Sequence, residues 1–359
     1  MENLLNIIQE NSQNSVTDFH FQAGKKPYIR KLGKIVELSN YNTLLNSDIT
    51  DLISKTCNNK KKLAEFKANG SCDFGFSLDN IGNFRANLYY SKQNLFLAIR
   101  ILPSKIPDFS SLGLSDAVKN VLKLKSGLIL VTGLTGNGKS TTIASLINEI
   151  NKTLNKHIII IEDPIEYRYT SINSLISQRE VGLDCPSFDE GLRSALRQDP
   201  DVIVIGEMRD KETISVALEA AESGHLVFST LHTCSASSSM DRIISYFDTD
   251  EQLYLRNKLA SVLKAVFSQK LLVGNNNNRY IAMEIMFNNS AIKNLIREGK
   301  FYQIQSFLQI SKDEGMITME ESLAKLCSEK KISPEVAIEN ANDEKQFNLI
   351  FNQYKIKQK

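Results

Sequence analysis

A chain of 359 residues has room for two ordinary domains, and its 42% hydrophobic and 23% charged content is that of a globular protein. A net charge of +2 gives no argument for nucleic acid, and no apolar run approaches the roughly 20 residues that span a bilayer. The five cysteines, Cys57, Cys72, Cys185, Cys234 and Cys327, form no C-x-x-C pair, which argues against disulfide or zinc frameworks and fits a reducing cytoplasm.

The N-terminal stretch MENLLNIIQENSQ lacks a basic n-region and a small-residue cleavage site, so it reads as a short amphipathic helix, not a signal peptide. From Val16 to Leu102, the runs TDFHF, PYIRKLGKIVEL, CDFGFSL, FRANLYYS and LFLAIRIL are short and apolar or alternating. Gly24, Lys26-Pro27, Gly33, Gly70, Asp79-Asn80 and Gly82 punctuate them as turns. SDITDLISKTCNN and KKKLAEFKANG have helical character. Residues 1–102 are therefore expected to form an α+β domain with an antiparallel sheet. Residues 103–114, PSKIPDFSSLGL, carry two prolines and several serines and read as an inter-domain linker.

From Ser115 onward the pattern alternates. A helix over DAVKNVLKLK leads into the apolar run Leu128-Ile129-Leu130-Val131. A helix from Thr142 to Ile150, strand IIIIE, strand-like SLISQREV, helix SFDEGLRSALRQ, strand VIVIGE, helix KETISVALEAAES and strand LVFSTLH follow. Such an order predicts an α/β domain over 115–359 with a buried, mostly parallel sheet. After Ser235 the chain reads as mostly helical: ASSSMDRIISYF, then DEQLYLRNKLASVLKAVFSQKLL, one strand YIAMEIMF, and three or four further helices. Asn275 to Asn278 reads as a solvated turn.

Between the first apolar run and its helix lies GLTGNGKSTT, Gly133 to Thr142, which fits the phosphate-loop pattern G-x-x-x-x-G-K-[ST] in the strand–turn–helix setting it requires. Backbone N–H groups of Gly133, Leu134, Thr135, Gly136, Asn137 and Gly138, with the start of the helix at Lys139, Ser140 and Thr141, suit a nucleoside triphosphate. Lys139 would reach the β- and γ-phosphates, and Ser140 would ligate Mg²⁺.

Three other strands end in polar groups. Glu207 ends VIVIGE, where an acid serves Mg²⁺ directly or through water; its plainer reading is an acid at the start of the next helix. Glu162, Asp163 and Glu166 lie in IEDPIEY, where a carboxylate could orient or deprotonate the attacking water, although Asp163-Pro164 could simply make the turn. His225 and His232 bracket LVFSTLH and could hydrogen-bond a phosphate or the catalytic acid, or merely be structural. Arg85 in FRAN and Arg100 in AIR are more often solvated strand residues than catalytic ones, and Arg30, Arg193, Arg197, Arg209 and Arg242 are as ambiguous. AIKNLIREGK, from Ala291 to Lys300, is amphipathic, with Ile292, Leu295 and Ile296 on one face and Lys293, Arg297, Glu298 and Lys300 elsewhere; by itself it reads as a surface helix.

GLTGNGKSTT, IIIIEDPIEY, LRQDPDVIVIGEMRDKET, GHLVFSTLHT, DRIISYF and AIKNLIREGK, in this order, resemble the retraction ATPases of type IV pili, the PilT family of secretion-type motor ATPases. VTDFHFQAG, PYIRKLGK, FRAN and AIRILP extend the resemblance over nearly the whole chain. The resemblance implies an N-terminal PAS-like domain joined by a flexible linker to a RecA-like ATPase domain with a helical C-terminal part. It also implies a homo-hexameric ring with ATP and Mg²⁺ bound, and a role in pilus disassembly and twitching motility. The partner would be the cytoplasmic face of the inner-membrane pilus platform, with the protein cytoplasmic and peripheral, and with no nucleic acid. Arg85 and Arg100 then match arginines that reach toward phosphate, His225 and His232 the histidine box, and Glu162, Asp163 and Glu166 the acidic box. Ala291, Ile292, Lys293, Asn294, Leu295, Ile296, Arg297 and Glu298 match the segment needed for retraction. Departures are Leu134 and Asn137 for the usual proline and serine, Lys293 for arginine, Gln198 for an acid and Ser229 for glycine. Hydrolysis is expected to rotate the domains about the linker. The rival expectations are a pilus-extension or type II secretion ATPase, an accessory retraction paralogue, a ring scaffold that binds nucleotide without hydrolysing it, and a DNA-translocating motor.

Overall fold

The computed structural model describes residues 3–12, 16–57, 59–79, 81–103, 105–276 and 278–357. Met1, Glu2 and Gln13 of the expected N-terminal helix, Asn58, Asn80 and Ser104 of the expected helix, turn and linker, and Asn277 of the asparagine run lie outside the described residues. The described chain divides into two compact units. One is Met1–Lys105 with Asp163–Arg168 and Glu180–Asp184; the other is Ile106–Glu162, Tyr169–Arg179 and Cys185–Lys359.

In the first unit, helix α1 (Leu4–Asn11) precedes strands β1 (Val16–Gln22), β2 (Tyr28–Lys31) and β3 (Lys34–Glu37). Helices α2 (Asn46–Thr56) and α3 (Lys60–Asn69) and strands β4 (Ser71–Leu78), β5 (Gly82–Ser91) and β6 (Asn94–Leu102) follow. The sheet order is β3-β2-β1-β6-β5-β4, and each neighbouring pair is antiparallel. Strand periodicity of two sends Cys72, Phe74 and Phe76 of β4, Phe84, Ala86 and Leu88 of β5, and Phe19 and Phe21 of β1 into one core with Leu4, Ile7 and Ile8 of α1 and Ile49 and Leu52 of α2. The alternate positions carry Asp18, Arg30, Asp73, Arg85 and Arg100, so one face of the sheet is polar.

The second unit begins with a 3-10 turn (Phe109–Leu112), short helix α4 (Asp116–Lys119) and a second 3-10 turn (Asn120–Lys123), where the sequence predicts one helix over DAVKNVLKLK. Pro107 and Asp108 are held by α5 (Lys139–Thr153): Ser145 Oγ donates to the Pro107 carbonyl, and Lys152 Nζ pairs with Asp108 at 2.6 Å. Phe109 is buried beside them, so residues 106–114 of the proline- and serine-containing stretch are part of this unit.

Strand β7 (Gly127–Thr132) precedes α5; β8 (His157–Glu162), β9 (Leu175–Glu180), α6 (Phe188–Ala195), β10 (Val202–Ile205), α7 (Lys211–Glu222), β11 (Leu226–Leu231), α8 (Ala236–Ile244) and α9 (Gln252–Val262) follow. Then come β12 (Leu263–Val273), β13 (Arg279–Phe287) and helices α10 (Ser290–Glu298), α11 (Ile304–Ile310), α12 (Met319–Ser328), α13 (Pro334–Asn340) and α14 (Glu344–Lys357). The seven-stranded sheet has the order β13-β12-β7-β11-β10-β8-β9, with parallel pairing from β12 through β8 and an antiparallel β13. β7, β10 and β11 are buried at every position, as strands covered on both faces must be. On one face Ile129, Val131, Ile158, Ile160, Val204 and Phe228 pack with Ile143, Leu146 and Ile150 of α5.

Two sequence expectations change here. LKAVFSQKLLV, expected to continue a helix, is strand β12, inserted between β7 and β13. The apolar residues of this run are compatible with a helix, but backbone pairing along both edges, with β7 and with β13, overrides that spacing. Among the described residues five α-helices follow β13, not three or four, because LAKLCSEKKISPEVAIEN leaves α12 after Ser328 and starts α13 at Pro334.

Candidate active site

β7 delivers the chain to the loop at Gly133, and α5 receives it at Lys139. Glycine is required at position 133 by φ 145° and because a Cβ there would stand 2.5 Å from the Gln269 carbonyl oxygen of β12. Gly138 enters α5 with φ 79°, in the left-handed region that a side chain disfavours. Lys139 is buried, and its ammonium donates to the carbonyls of Gly133 at 2.7 Å and Leu134 at 3.2 Å, which fixes the charge over the loop. Ser140 and Thr141 occupy the first turn of α5, where the positive end of the helix favours an anion.

Parallel pairing of β7 with β11, β11 with β10, and β10 with β8 brings three further strand ends to the same edge as the loop. His232, just past β11, stands with Nδ1 3.5 Å from Thr135 Oγ1 of the loop and Nε2 3.4 Å from Glu207 Oε2. Glu207, just past β10, is 14% exposed at its side chain, and its other oxygen pairs with the Arg209 guanidinium. Glu162 closes β8, and Gly206 lets β10 run close beside it: a Cβ at position 206 would be 3.4 Å from the Glu162 Cα. Loop, imidazole and carboxylate thus form one connected series, Thr135–His232–Glu207–Arg209. Thr230 supports it from beneath, donating its hydroxyl to the Gly206 carbonyl at 2.6 Å and accepting at its own carbonyl from Met208 N–H at 3.2 Å.

Of the other expected site residues, His225 lies elsewhere in this unit, and Asp163, Glu166, Arg85 and Arg100 belong to the first unit. His225 sits at the opposite end of the six-residue β11, about 20 Å of strand away, with Nδ1 near the Ala220 carbonyl at 3.0 Å and Ser223 Oγ at 3.1 Å. Asp163 and Glu166 fall in the first unit, next to the Asp163-Pro164 cis peptide, while Glu162 stays with the loop. Arg85 and Arg100 are direct cross-strand partners on the polar face of the first unit. Asp18 is buried and receives Arg100 Nε at 2.9 Å; Arg85 Nε is 3.9 Å from Asp73. With Asn87 these four side chains line a cavity of about 210 Å³.

In α10, Asn289 caps the start by accepting from Ile292 N–H at 3.0 Å, and Gly299 ends it in the left-handed region. Ile292, Leu295 and Ile296 are buried, Ala291 and Lys293 half-buried, and Asn294, Arg297 and Glu298 exposed.

Sequence reasoning missed Gln269, Ser268 and Thr132. Thr132 Oγ1 donates to Ser268 Oγ at 2.9 Å, and Gln269 Nε2 donates to the Asn137 carbonyl at 2.6 Å. Reading β12 as helix removed the register that puts these residues beside the loop. Among the described residues, no helix is long and apolar enough to cross a membrane, and no group of three or more His, Cys, Asp or Glu could by itself hold a metal.

Residues 81–342 match the family described as type II/IV secretion system protein. Over 320 residues the chain is 40% identical to the uncharacterised protein YggR of Escherichia coli K12, covering 89% of this chain and 97% of that one. Over 335 residues it is 40% identical to the type IV pilus retraction ATPase PilT of Pseudomonas aeruginosa, covering 93% of this chain and 97% of that one. A crystal structure of the pilus retraction motor PilT with bound ADP matches at a TM-score of 0.90 and 43% identity, over 96% of this chain and 99% of that one. The fold is therefore that of a secretion ATPase: an α+β N-terminal part and a RecA-like phosphate-loop part with helices after the last strand.

Proposed function

The chain belongs to the type II/IV secretion system protein family, and on that premise we propose that it is an ATP-hydrolysing motor that powers retraction of a type IV pilus. It is an ATPase; the observation that carries the reading is the series Thr135–His232–Glu207, which ties the phosphate loop to an acid at the neighbouring strand end.

In this reading the loop amides and Lys139 bind the β- and γ-phosphates. Ser140 and Glu207 supply hydroxyl and carboxylate oxygens, the hard donors that Mg²⁺ takes when most of its shell is water and phosphate. Mg²⁺, when bound with the nucleotide, neutralises charge on the phosphates. His232 holds Glu207 and the loop in register. Glu162, Asp163 and Glu166 are the candidates to position water, with Arg85 and Arg100 contributing to the nucleotide site in a homo-hexamer. Asn294, Arg297 and Glu298 of α10 face a partner, the cytoplasmic side of the pilus platform at the inner membrane. The stretch 103–114 joins the two domains in this reading, and α5 holds its Pro107 and Asp108.

Phosphate release by the wild type, compared with Lys139→Ala, tests the enzyme; rates equal at background would favour a nucleotide-binding scaffold instead. Deletion in cells tests the direction of force. Excess, immobile pili are expected, whereas bald cells would indicate an assembly motor.

A further inference from the structure

β12 lies parallel to β7 with Ser268 opposite Thr132, so its next residue, Gln269, reaches the first residue of the phosphate loop. Two hydrogen bonds and one close backbone approach join the two. Gln269 Nε2 donates to the Asn137 carbonyl at 2.6 Å, Leu271 N–H donates to Asn137 Oδ1 at 3.4 Å, and the Gln269 carbonyl oxygen lies 2.5 Å from where a Cβ on Gly133 would be. Gln269 is 1% exposed, and its Oε1 is buried without a hydrogen-bond partner. An orphaned buried acceptor is costly, so its presence calls for a reason beyond packing.

We propose that Gln269 is a positioning residue for nucleotide binding: by holding the Asn137 carbonyl, its amide sets the direction of the Gly138 N–H. The Asn137 C=O and the Gly138 N–H belong to one planar trans peptide, in which they point opposite ways. A carbonyl bound to Gln269 turns the Gly138 amide away from β12, leaving it to serve phosphate as backbone amides of such loops do. Lys139 performs the matching task at the other end of the loop, by holding the Gly133 and Leu134 carbonyls. Asn137 adds a contact of its own. Its side chain reaches Leu271, which the shorter serine usual in resembling loops would not span.

The inference rests on the loop being a phosphate site, so ADP binding by the wild type is measured first. If the wild type does not bind ADP, the proposed function fails; if it binds and the variants bind equally, only the role of Gln269 fails. Gln269→Glu keeps the length but replaces the donor with a carboxylate, and Gln269→Met keeps the volume without a donor. Both are expected to bind a fluorescent ADP about tenfold more weakly than wild type near pH 8, measured at a temperature where each variant is fully folded, since loss of the buried donor also lowers the melting midpoint of the unliganded protein. Relative to wild type, Gln269→Glu should recover affinity as the pH falls toward about 5.5, since a protonated carboxyl can again donate; Gln269→Met should not. Should Gln269→Glu fail to accumulate as folded protein, Gln269→Met alone gives the comparison. Affinities within twofold of wild type, or losses that only follow a lost folded fraction, would overturn the proposal.

Discussion

His232 and Glu207 face each other at 3.4 Å, Nε2 to Oε2, from the ends of adjacent parallel strands, with the imidazole's other nitrogen 3.5 Å from Thr135 Oγ1 in the phosphate loop. One side chain therefore touches both the phosphate-loop motif and the acid proposed to serve catalysis. Glu207→Gln should lower kcat by about 100-fold or more while leaving ADP affinity within a few-fold, because the amide keeps the shape and loses the charge. His232→Gln should lose less, about tenfold, since it removes a positioning contact. Single-turnover hydrolysis with separately measured ADP binding checks both, and a Glu207→Gln enzyme with ordinary turnover would remove Glu207 from the chemistry.

Glu284 of β13 is a second acid with a defined environment. It is fully buried, one oxygen accepts the Ala236 N–H at the start of α8 at 2.8 Å, and burial, with Glu320 nearby, pushes its carboxyl up to about 7 from an ordinary 4.5. The folded protein therefore holds a proton there that the unfolded chain has released, so this group's stabilisation is greatest below pH 4.5 and falls as pH rises to about 7. The whole loss is on the order of 3 kcal/mol. Glu284→Gln should flatten that part of the stability–pH curve and raise the urea midpoint at pH 8 relative to wild type. A lower midpoint for the variant at pH 8 would count against it.

The α10 face separates packing from recognition. Ile292→Ala or Ile296→Ala should cost about 2–4 kcal/mol by leaving a cavity. Arg297→Glu and Asn294→Ala, at exposed positions, should leave both the melting midpoint and ATP turnover unchanged while abolishing retraction in cells. Normal retraction with Arg297→Glu would exclude this face as the contact.

The β5–β6 hairpin turns at Lys92 and Gln93, both in the left-handed region at φ 48° and 65°. A two-residue turn of this kind matches the twist of the strands but strains any side chain with a Cβ. Gln93→Gly should stabilise the hairpin by about 0.5–1 kcal/mol, read as slower hydrogen exchange of β5 and β6 amides.

What the sequence made legible follows from local rules. A glycine turn between an apolar strand and a helix is recognisable within a dozen residues, and so are alternating strands such as CDFGFSL. The strand ends at Glu162, Glu207 and His232 were found because parallel strands present their carboxyl ends together. His225 was grouped with His232 by proximity in sequence, but β11 lies between them and carries them to opposite edges. Gln269 was invisible for a different reason. Its contact with Asn137 spans 132 positions, and only the pairing of β12 with β7 brings it near.

That distance in sequence has a consequence during synthesis. β7 acquires its neighbour on the β12 side only when Ser268, 136 positions after Thr132, has been made. At roughly 5–20 residues per second this is a delay of about 7–27 s, during which β7 lacks its β12-side neighbour in the nascent chain. On the proposed role of Gln269, ATP stabilises the nascent protein less until β12 emerges and holds Asn137. Chains truncated before β12 should be retained on ATP-agarose more weakly than the full chain, although they contain every residue of the phosphate-loop motif.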